Sequence, residues 1–284
     1  QADVSLEDKW KRSKIDSTRI PYGELTSAAV EQGAQFVVWA ETAMPAYIRL
    51  DKEHLNWVRS LVYKTKTPLF TGFPDAERLA DGTVNKHNSS GLFGADGMIL
   101  DRYAKHHLLP IGEAMPFTSV FPSLAKINVG QAEWTPGLPP EPILLPTDSG
   151  DFPFSGLICF ESILGRQARD SVRRGSRMLV VLTNDGWFGE TAGPRQHTKL
   201  ALLRAAECRV PMVRCANNGI SLLCDENGKI LDQLDLGQRG FVSAALKPGS
   251  GRTSYVRWGA WPLFWFLIFW SVMSFVVRPE RDKQ

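Results

Sequence analysis

The segment from Trp258 to Val277 most limits the class of protein that this chain can form, because its 20 consecutive residues include no charged side chain. A helix of about 20 apolar residues is long enough to span the hydrocarbon core of a bilayer. Four tryptophans in the segment, Trp258, Trp261, Trp265 and Trp270, are of the kind that anchors helices at membrane interfaces. A buried core helix is the alternative, but an apolar helix beside a charged tail favours a membrane span. We expect a transmembrane helix over residues 258–277.

The tail after this segment indicates its orientation. Residues 278–284 include Arg278, Arg281 and Lys283. Short positive flanks tend to stay in the cytoplasm, whereas long domains are exported regardless of charge. We therefore expect a cytoplasmic tail, a linker at residues 251–257, and a main domain over residues 1–250 on the periplasmic side of a bacterial inner membrane. The chain begins with Gln1 and not with Met, which favours part of a longer protein.

The charge balance gives no reason to expect a nucleic-acid partner. The sequence has 33 Lys and Arg against 30 Asp and Glu, a formal net charge of +3, and no basic run of the nucleic-acid type. Its densest basic stretch consists of Arg166, Arg169, Arg173, Arg174 and Arg177. Arginines on a helix usually form a solvated face, and contact with anionic lipid headgroups is the alternative.

The four cysteines form neither a C-x-x-C pair nor a Cys/His zinc pattern. We expect no metal and no organic cofactor, and a chain of this length with 43% apolar residues needs no disulfide framework. Cys208, Cys215 and Cys224 are predicted to be small, buried apolar side chains. Cys159 differs from them in its sequence context.

Apolar runs alternate with helical segments, which predicts a mixed-sheet α/β domain. Helices are predicted over residues 21–33, 52–66, 165–174 and 196–209. Strands are predicted near residues 36–40, 68–73, 157–160 and 178–183. Asp-Gly and Asn-Gly turns predict hairpins over residues 89–100 and 213–234. The Pro-rich residues 110–155 are expected to form a long insertion made mostly of loops.

Polar side chains follow three of these apolar runs, at Glu41, Cys159 and Asn184-Asp185. Sites in α/β sheets gather at the carboxyl ends of strands. A cysteine before a helix can also have its thiol pKa lowered by the helix dipole. Taken singly, Glu41 is more often a strand-end cap or ion-pair partner, and Lys105 a surface lysine. Spacing alone therefore suggests a cysteine with a carboxylate, and nothing more specific.

Five motifs, taken together and in this order, are much more specific. They are VVWAETAMP (37–45), YAKHHLLPIGEAMPF (103–117), GLICFESILGRQARD (156–170), TNDGWFGETAGPRQH (183–197) and VRCANNGIS (213–221). The chain resembles the nitrilase superfamily and, within it, the bacterial apolipoprotein N-acyltransferases. This resemblance implies a nitrilase-like αββα sandwich followed by the last transmembrane helix. The same family carries further transmembrane helices before its catalytic domain, so the chain is either a fragment or works with one anchor.

The resemblance also implies a role for each motif residue. It makes Glu41 the general base, Lys105 the cation that stabilises the oxyanion, and Cys159 the nucleophile. Glu113 would support Lys105 and the base. Asn88, Phe160 and Glu161 would be supporting or substrate-pocket residues, with Phe160 standing where the family often has Tyr.

The implied reaction is acyl transfer through a Cys159 thioester. The acyl donor would be a phospholipid, and the acceptor would be the N-terminal amine of a diacylglyceryl-cysteine apolipoprotein, with the enzyme acting as a membrane-bound monomer. Two alternatives remain. One is a membrane-anchored amidohydrolase of the same superfamily acting on a small amide, and the other is a non-catalytic, tethered binding domain with the nitrilase fold.

Overall fold

Two β-sheets lie face to face between helices. The computed structural model describes residues 1–11, 14–115, 123, 134–189 and 191–276. The strands are β1 Val37–Val38, β2 Leu69–Arg78, β3 Val84–Phe93, β4 Ile99–Ala104, β5 Ile143–Thr147, β6 Gly150–Ile158, β7 Leu179–Thr183, β8 Met212–Ala216, β9 Ser221–Cys224 and β10 Ile230–Leu234. The α-helices are α1 Leu6–Lys9, α2 Ile15–Glu31, α3 Lys52–Thr65, α4 Gly165–Arg173, α5 Gly193–Cys208, α6 Ser254–Trp258 and α7 Trp261–Val276. Short 3₁₀ helices, Cys159–Ile163 and Asp185–Phe188, follow β6 and β7.

The strand order brings Cys159 and Asp185 to the same edge of the second sheet. The first sheet has the order β1-β2-β3-β4, and the second has the order β10-β9-β8-β7-β6-β5. Strands β6, β7 and β8 are mutually parallel. Because parallel strands end at the same edge, Cys159 after β6 and Asp185 after β7 lie near each other.

Apolar packing produces four layers. In β7, Leu179 and Val181 pack toward α4 and α5, whereas Val180 and Leu182 pack between the two sheets. This alternation follows from the two-residue repeat of a strand. A third cluster joins α2 and α3 to the first sheet. The predicted αββα arrangement of the domain is therefore confirmed. The three other cysteines, Cys208, Cys215 and Cys224, are buried and free, as predicted.

The predicted start of the second helix was wrong. Helix α2 begins at Ile15 and continues through Pro21, the residue at which the sequence pattern predicts its start. A proline removes one backbone donor from a helix. The next residue packs into the core, because the Tyr22 ring is buried and lies 4.8 Å from the Trp39 ring.

The predicted loop-heavy insertion over residues 110–155 was also partly wrong. Its last part forms the β5–β6 hairpin, in which Leu144 pairs with Pro153 and Pro146 with Asp151. The sequence pattern did not predict this hairpin because of its prolines, since proline is disfavoured in strands except at sheet edges. Strand β5 is such an edge strand. Residues 116–122 and 124–133 of the predicted insertion lie outside the described residues.

The C-terminal segment is helical but shorter than predicted. Helix α7 has 16 residues, and Gly259, with φ of 61°, separates it from α6. In the part of the chain that the structure describes, no helix has both the length and the apolar character needed to cross a membrane. Side chains from Trp261 to Ser274 are exposed. Val277 and the predicted tail at 278–284 lie outside the described residues.

Candidate active site

Glu41, Lys105 and Cys159 come from three different strands and meet between the two sheets. Glu41 follows β1, Lys105 follows β4 and Cys159 follows β6. Lys105 Nζ lies 3.8 Å from Glu41 Oε1. The charges of Glu41 and Lys105 both act on the Cys159 thiol. The structure thus brings the three predicted catalytic residues together.

A close approach between two segments places Glu41. At Gly72 of β2, an added Cβ would lie 2.6 Å from the Thr42 backbone nitrogen, so only glycine lets these segments touch. Asn88 Nδ2 donates a hydrogen bond of 2.8 Å to Glu41 Oε1. Burial raises the pKa of Glu41, and nearby Glu113 raises it further, although Lys105 and Asn88 oppose this.

Lys105 is buried and its closest carboxylate belongs to Glu113. The Lys105 Nζ to Glu113 Oε2 distance is 2.7 Å. Asn88 Nδ2 also donates to Glu113 Oε1 at 3.1 Å, so one amide links both carboxylates. Burial alone would lower the pKa of Lys105, but the charges of Glu41, Cys159 and Glu113 outweigh it and raise the pKa. The surrounding carboxylates therefore favour the charged form of Lys105 beside the thiol.

Cys159 adopts an unusual backbone conformation. Its φ is 51°, in the left-handed region that costs a non-glycine residue about 1–2 kcal/mol. The Cys159 carbonyl accepts hydrogen bonds from Ser162 Oγ at 2.7 Å and His197 Nε2 at 3.1 Å, which stabilise this turn. The thiol pKa is raised, and not lowered as the helix dipole alone could have made it. Burial and the charge of Glu41 raise the pKa of Cys159 to about 12, so the sulfur needs a base.

Glu161 connects the segment around Lys105 with the turn at Cys159. Its Oε1 accepts hydrogen bonds from Tyr103 Oη at 2.6 Å and from the backbone nitrogens of His106 and His107 at 2.8 and 2.9 Å. Its Oε2 accepts one from the backbone nitrogen of Ile158 at 2.8 Å. The fully buried Glu161 carboxylate thus connects the residues on either side of Lys105 with the residue before Cys159. Phe160 is half-buried.

A second buried network lies behind Cys159. Asp185 Oδ1 is 2.9 Å from His197 Nδ1, and Asp185 Oδ2 is 2.7 Å from Arg214 Nη2. Gly219 leaves room for this carboxylate, since a Cβ there would lie 2.2 Å from Asp185 Oδ2. Burial opposes ionisation of Asp185, but Arg214 and His197 outweigh it and lower the pKa. The His197 ring thereby joins Asp185 to the Cys159 carbonyl.

Sequence reasoning identified Asp185 only as a strand-end residue and missed His197, Arg214 and Lys9. Lys9 Nζ donates a hydrogen bond of 3.0 Å to the Glu41 carbonyl. Burial lowers the pKa of Lys9 to about 8, against the charge of Glu41. A lysine before a predicted helix has no pattern that distinguishes it from a surface residue. His197 and Arg214 lie within two of the five motifs, which was the only available signal.

In the described ranges, no group of three or more His, Cys, Asp or Glu side chains is arranged to hold a metal ion. The polar groups at the site are a thiol, two carboxylates, an ammonium and an amide. Such a set suits acyl transfer through a covalent sulfur intermediate, with the base and the cation both supplied by the chain.

Comparison with known proteins shows which family the sequence matches. The sequence model of the carbon-nitrogen hydrolase family matches residues 15–254. The apolipoprotein N-acyltransferase of Geobacter metallireducens is 34% identical over 261 residues, covering 91% of this chain and 49% of that protein. The enzyme of the same name from Vibrio cholerae is 30% identical over 269 residues, covering 93% of this chain and 52% of that protein. The chain thus spans about half the length of these relatives.

Solved structures share the fold. A carbon-nitrogen hydrolase from Helicobacter pylori G27 superposes with a TM-score of 0.63 at 18% identity, covering 91% of this chain and 92% of that one. A mutant amidase from Nesterenkonia sp. AN1, with acrylamide added at its active-site cysteine, superposes with a TM-score of 0.59 at 17% identity. That match covers 87% of this chain and 91% of the amidase chain.

Proposed function

This chain belongs to the carbon-nitrogen hydrolase family, and we propose that it is the catalytic part of an apolipoprotein N-acyltransferase. The arrangement of Glu41 and Lys105 around a protonated Cys159 supports this proposal most directly. A buried thiol with a raised pKa is inert until a neighbouring carboxylate takes its proton. Relatives named apolipoprotein N-acyltransferase, at 30–34% identity, favour acyl transfer over other reactions of the family.

The first half-reaction forms a thioester. Glu41 accepts the Cys159 proton, and the sulfur attacks the ester carbonyl of a phospholipid. The negative charge that develops on the carbonyl oxygen is stabilised by the Lys105 ammonium. The tetrahedral intermediate collapses, the carbon–oxygen ester bond breaks, and the departing lysophospholipid oxygen takes the proton from Glu41. One acyl chain then remains on Cys159.

The second half-reaction transfers this chain to an amine. The α-amino group of a diacylglyceryl-cysteine at a lipoprotein N-terminus attacks the thioester carbonyl, and Glu41 accepts a proton from the attacking nitrogen. Lys105 again stabilises the oxyanion. The carbon–sulfur bond breaks, the proton returns to the Cys159 sulfur, and the lipoprotein leaves with an amide-linked acyl chain. The lysophospholipid leaves before the amine attacks the thioester, so the reaction is of the ping-pong type.

Helix α7 connects this chemistry with a membrane in our proposal. Its aromatic and aliphatic side chains are exposed on all sides, with Trp265 at 62% and Phe269 at 61%. A large exposed apolar surface of this kind marks an interaction site. We assign α7 to lipid contact at a bacterial inner membrane, with the catalytic domain on the periplasmic side and with the protein acting as a monomer. Donor and acceptor would both reach Cys159 from the bilayer.

Intact-mass spectrometry tests the proposal. The protein is incubated in detergent with phosphatidylethanolamine and no acceptor, beside the Cys159→Ala variant. We expect a mass gain of one acyl chain on the unsubstituted protein only, and its removal when a diacylglyceryl-cysteine peptide is added. A matched control is Cys208→Ala, which keeps Cys159 and should be acylated.

Three results would contradict the proposal. Release of free fatty acid or of a small acid from an amide, with no transfer to the peptide, would favour an amidohydrolase. Acylation of Cys159→Ala at the rate of the unsubstituted protein would exclude Cys159 as the nucleophile. A protein that is folded yet neither acylated nor hydrolytic would favour the non-catalytic binding domain.

A further inference from the structure

A groove lined by arginines lies between α4 and α6, where the domain leads into α7. Its volume is about 600 Å³, and its walls include Arg173, Arg177, Arg252 and Arg257. No Asp or Glu of the described residues lines it. We refer to this feature as the basic groove.

Carboxylates on the neighbouring helices do not neutralise the basic groove. Asp170 pairs with Arg169 at 2.9 Å and with Arg166 at 3.6 Å, and Glu207 pairs with Arg204 at 3.0 Å. Within the described residues, Arg173 and Arg252 form no ion pair, and both are exposed. The basic groove therefore carries positive charge that is available to a ligand.

The remaining two arginines shape the wall of the basic groove. Arg177 Nη1 donates to the Gly249 carbonyl at 3.2 Å and also to the Ser250 carbonyl, which fixes the chain before α6. The Arg257 guanidinium lies 5.0 Å from the centre of the Trp258 ring. Such a pair presents a cation and an indole together, and the indole is of the type found at membrane interfaces.

Packing holds α6 firmly against the domain. Val256 is buried in the same apolar cluster as Val172 of α4. Thr253 Oγ1 donates a hydrogen bond of 2.8 Å to the Glu207 carbonyl and caps the Val256 backbone nitrogen at 3.0 Å. The basic groove is consequently formed by fixed elements. Because α7 begins three residues after Trp258, lipid contact by α7 would place the basic groove at the level of the headgroups.

We propose that the basic groove binds the phosphate of an anionic phospholipid headgroup at the membrane surface. This inference rests on the lipid contact that the proposed function gives to α7. Arginine suits the role because its planar guanidinium binds phosphate through two parallel hydrogen bonds. The bound lipid would hold the domain at a fixed distance from the bilayer, and it would be distinct from the acyl donor at Cys159.

Native mass spectrometry in detergent measures this binding directly. Phosphatidylglycerol and phosphatidylcholine are titrated separately onto the protein in a Cys159→Ala background, so that no acyl transfer consumes lipid. The test variant is Arg173→Gln with Arg252→Gln. The matched control is Arg78→Gln with Arg166→Gln, which removes two exposed arginines that do not line the groove.

We expect the protein that keeps all of its arginines to bind phosphatidylglycerol clearly more tightly than phosphatidylcholine. In the proposal both arginines contact the phosphate through charge-assisted hydrogen bonds, so the test variant should lose about tenfold or more in affinity for phosphatidylglycerol. Its affinity for phosphatidylcholine and that of the control for both lipids should not change. Thioester formation by the test variant with Cys159 intact should be preserved with a neutral donor.

Three results would overturn the inference. The first is equal affinity for the two lipids before any arginine is replaced. The second is an unchanged preference for phosphatidylglycerol in the test variant, since the lipid would then be bound elsewhere. The third is binding of inorganic phosphate alone as tight as that of phosphatidylglycerol, which would indicate a soluble phosphate ligand. Failure of every protein to form a thioester would instead count against the proposed function and not against the lipid measurement.

Discussion

Lys105 forms its short ion pair with Glu113, at 2.7 Å between Nζ and Oε2. The corresponding distance from Lys105 to the proposed base, Glu41, is 3.8 Å. This difference matters for the chemistry, because a base held tightly by a cation would be a poor proton acceptor. Glu113 forms the short ion pair with the lysine, Glu41 interacts with the same charge at a longer distance, and Asn88 keeps the two carboxylates in a fixed relationship.

Replacing Glu113 by Gln should move the acid limb of activity to lower pH. The charge of Glu113 is one of the causes that raise the pKa of Glu41, so its removal lowers that pKa. In the proposed reaction Glu41 must be ionised to accept the thiol proton, so acylation should then persist to more acidic conditions. The measurement is the pH dependence of single-turnover thioester formation. Glu141→Gln, which removes an exposed partner of Arg174, is the control. A limb that stays in place or moves to higher pH would contradict the prediction.

Replacing Lys105 by Met should move the acid limb of activity to higher pH. Lys105 lowers the pKa of Glu41, so without it burial and Glu113 raise that pKa further. Loss of the oxyanion cation should also reduce the acylation rate by about 10²–10³. The same pH series measures both effects, with Lys64→Met on the exposed end of α3 as the control. An acylation rate within about threefold of the unsubstituted protein would exclude Lys105 as an oxyanion stabiliser.

Glu161→Gln should destabilise the fold as well as the site. An amide of the same shape cannot accept all four hydrogen bonds that the carboxylate accepts, and a donor beneath Cys159 becomes unsatisfied. We expect the free energy of unfolding to fall by about 2–3 kcal/mol. Tyr103→Phe, which removes one of the four donors to Glu161 and also the acceptor of Gln167 Nε2, should cost about 1–2 kcal/mol. Urea denaturation measures both values. Equal losses for the two variants would show that the backbone bonds to Glu161 contribute little.

The buried strands of this fold could be predicted from the residue pattern, and its four layers from the family resemblance, but its buried polar networks could not. Apolar runs such as 179–182 identify buried strands because burial on both faces leaves no polar position. Glu161 and Tyr103, in contrast, are 58 residues apart and meet only when the two sheets pack. Lys9 and Glu41 are 32 residues apart, and no periodic pattern connects them. Long-range hydrogen bonds between single side chains leave no local signal.

The motifs identified some of the site residues that periodicity could not predict. Lys105 and Glu113 lie outside the strands and α-helices, so periodicity predicts nothing about them, yet the motif at 103–117 placed both at the site. The same resemblance could not give the pKa of Cys159. That value depends on how completely the fold buries the sulfur beside Glu41, which is a property of the assembled structure.

Asp185→Asn should lower the free energy of unfolding by an amount that depends on pH. The substitution leaves Arg214 buried without its carboxylate, and breaking a buried pair typically costs about 3–5 kcal/mol. The pKa of Asp185 is lowered in the folded state. Its contribution is therefore complete above the unfolded value of about 4 and is lost as pH falls through the lower folded value. The difference in unfolding free energy between the two proteins should shrink correspondingly below about pH 4.

Chemical denaturation at neutral pH and at several acidic values measures this difference. Asp185→Asn combined with Arg214→Met serves as the second variant, because removing both charges abolishes the uncompensated guanidinium. It should recover part of the stability that the single substitution loses. Asp81→Asn is a suitable control, since Asp81 is fully exposed and forms only local turn contacts. A stability difference for Asp185→Asn that is the same at every pH would mean that its cost comes from altered packing around His197 and not from the lost charge.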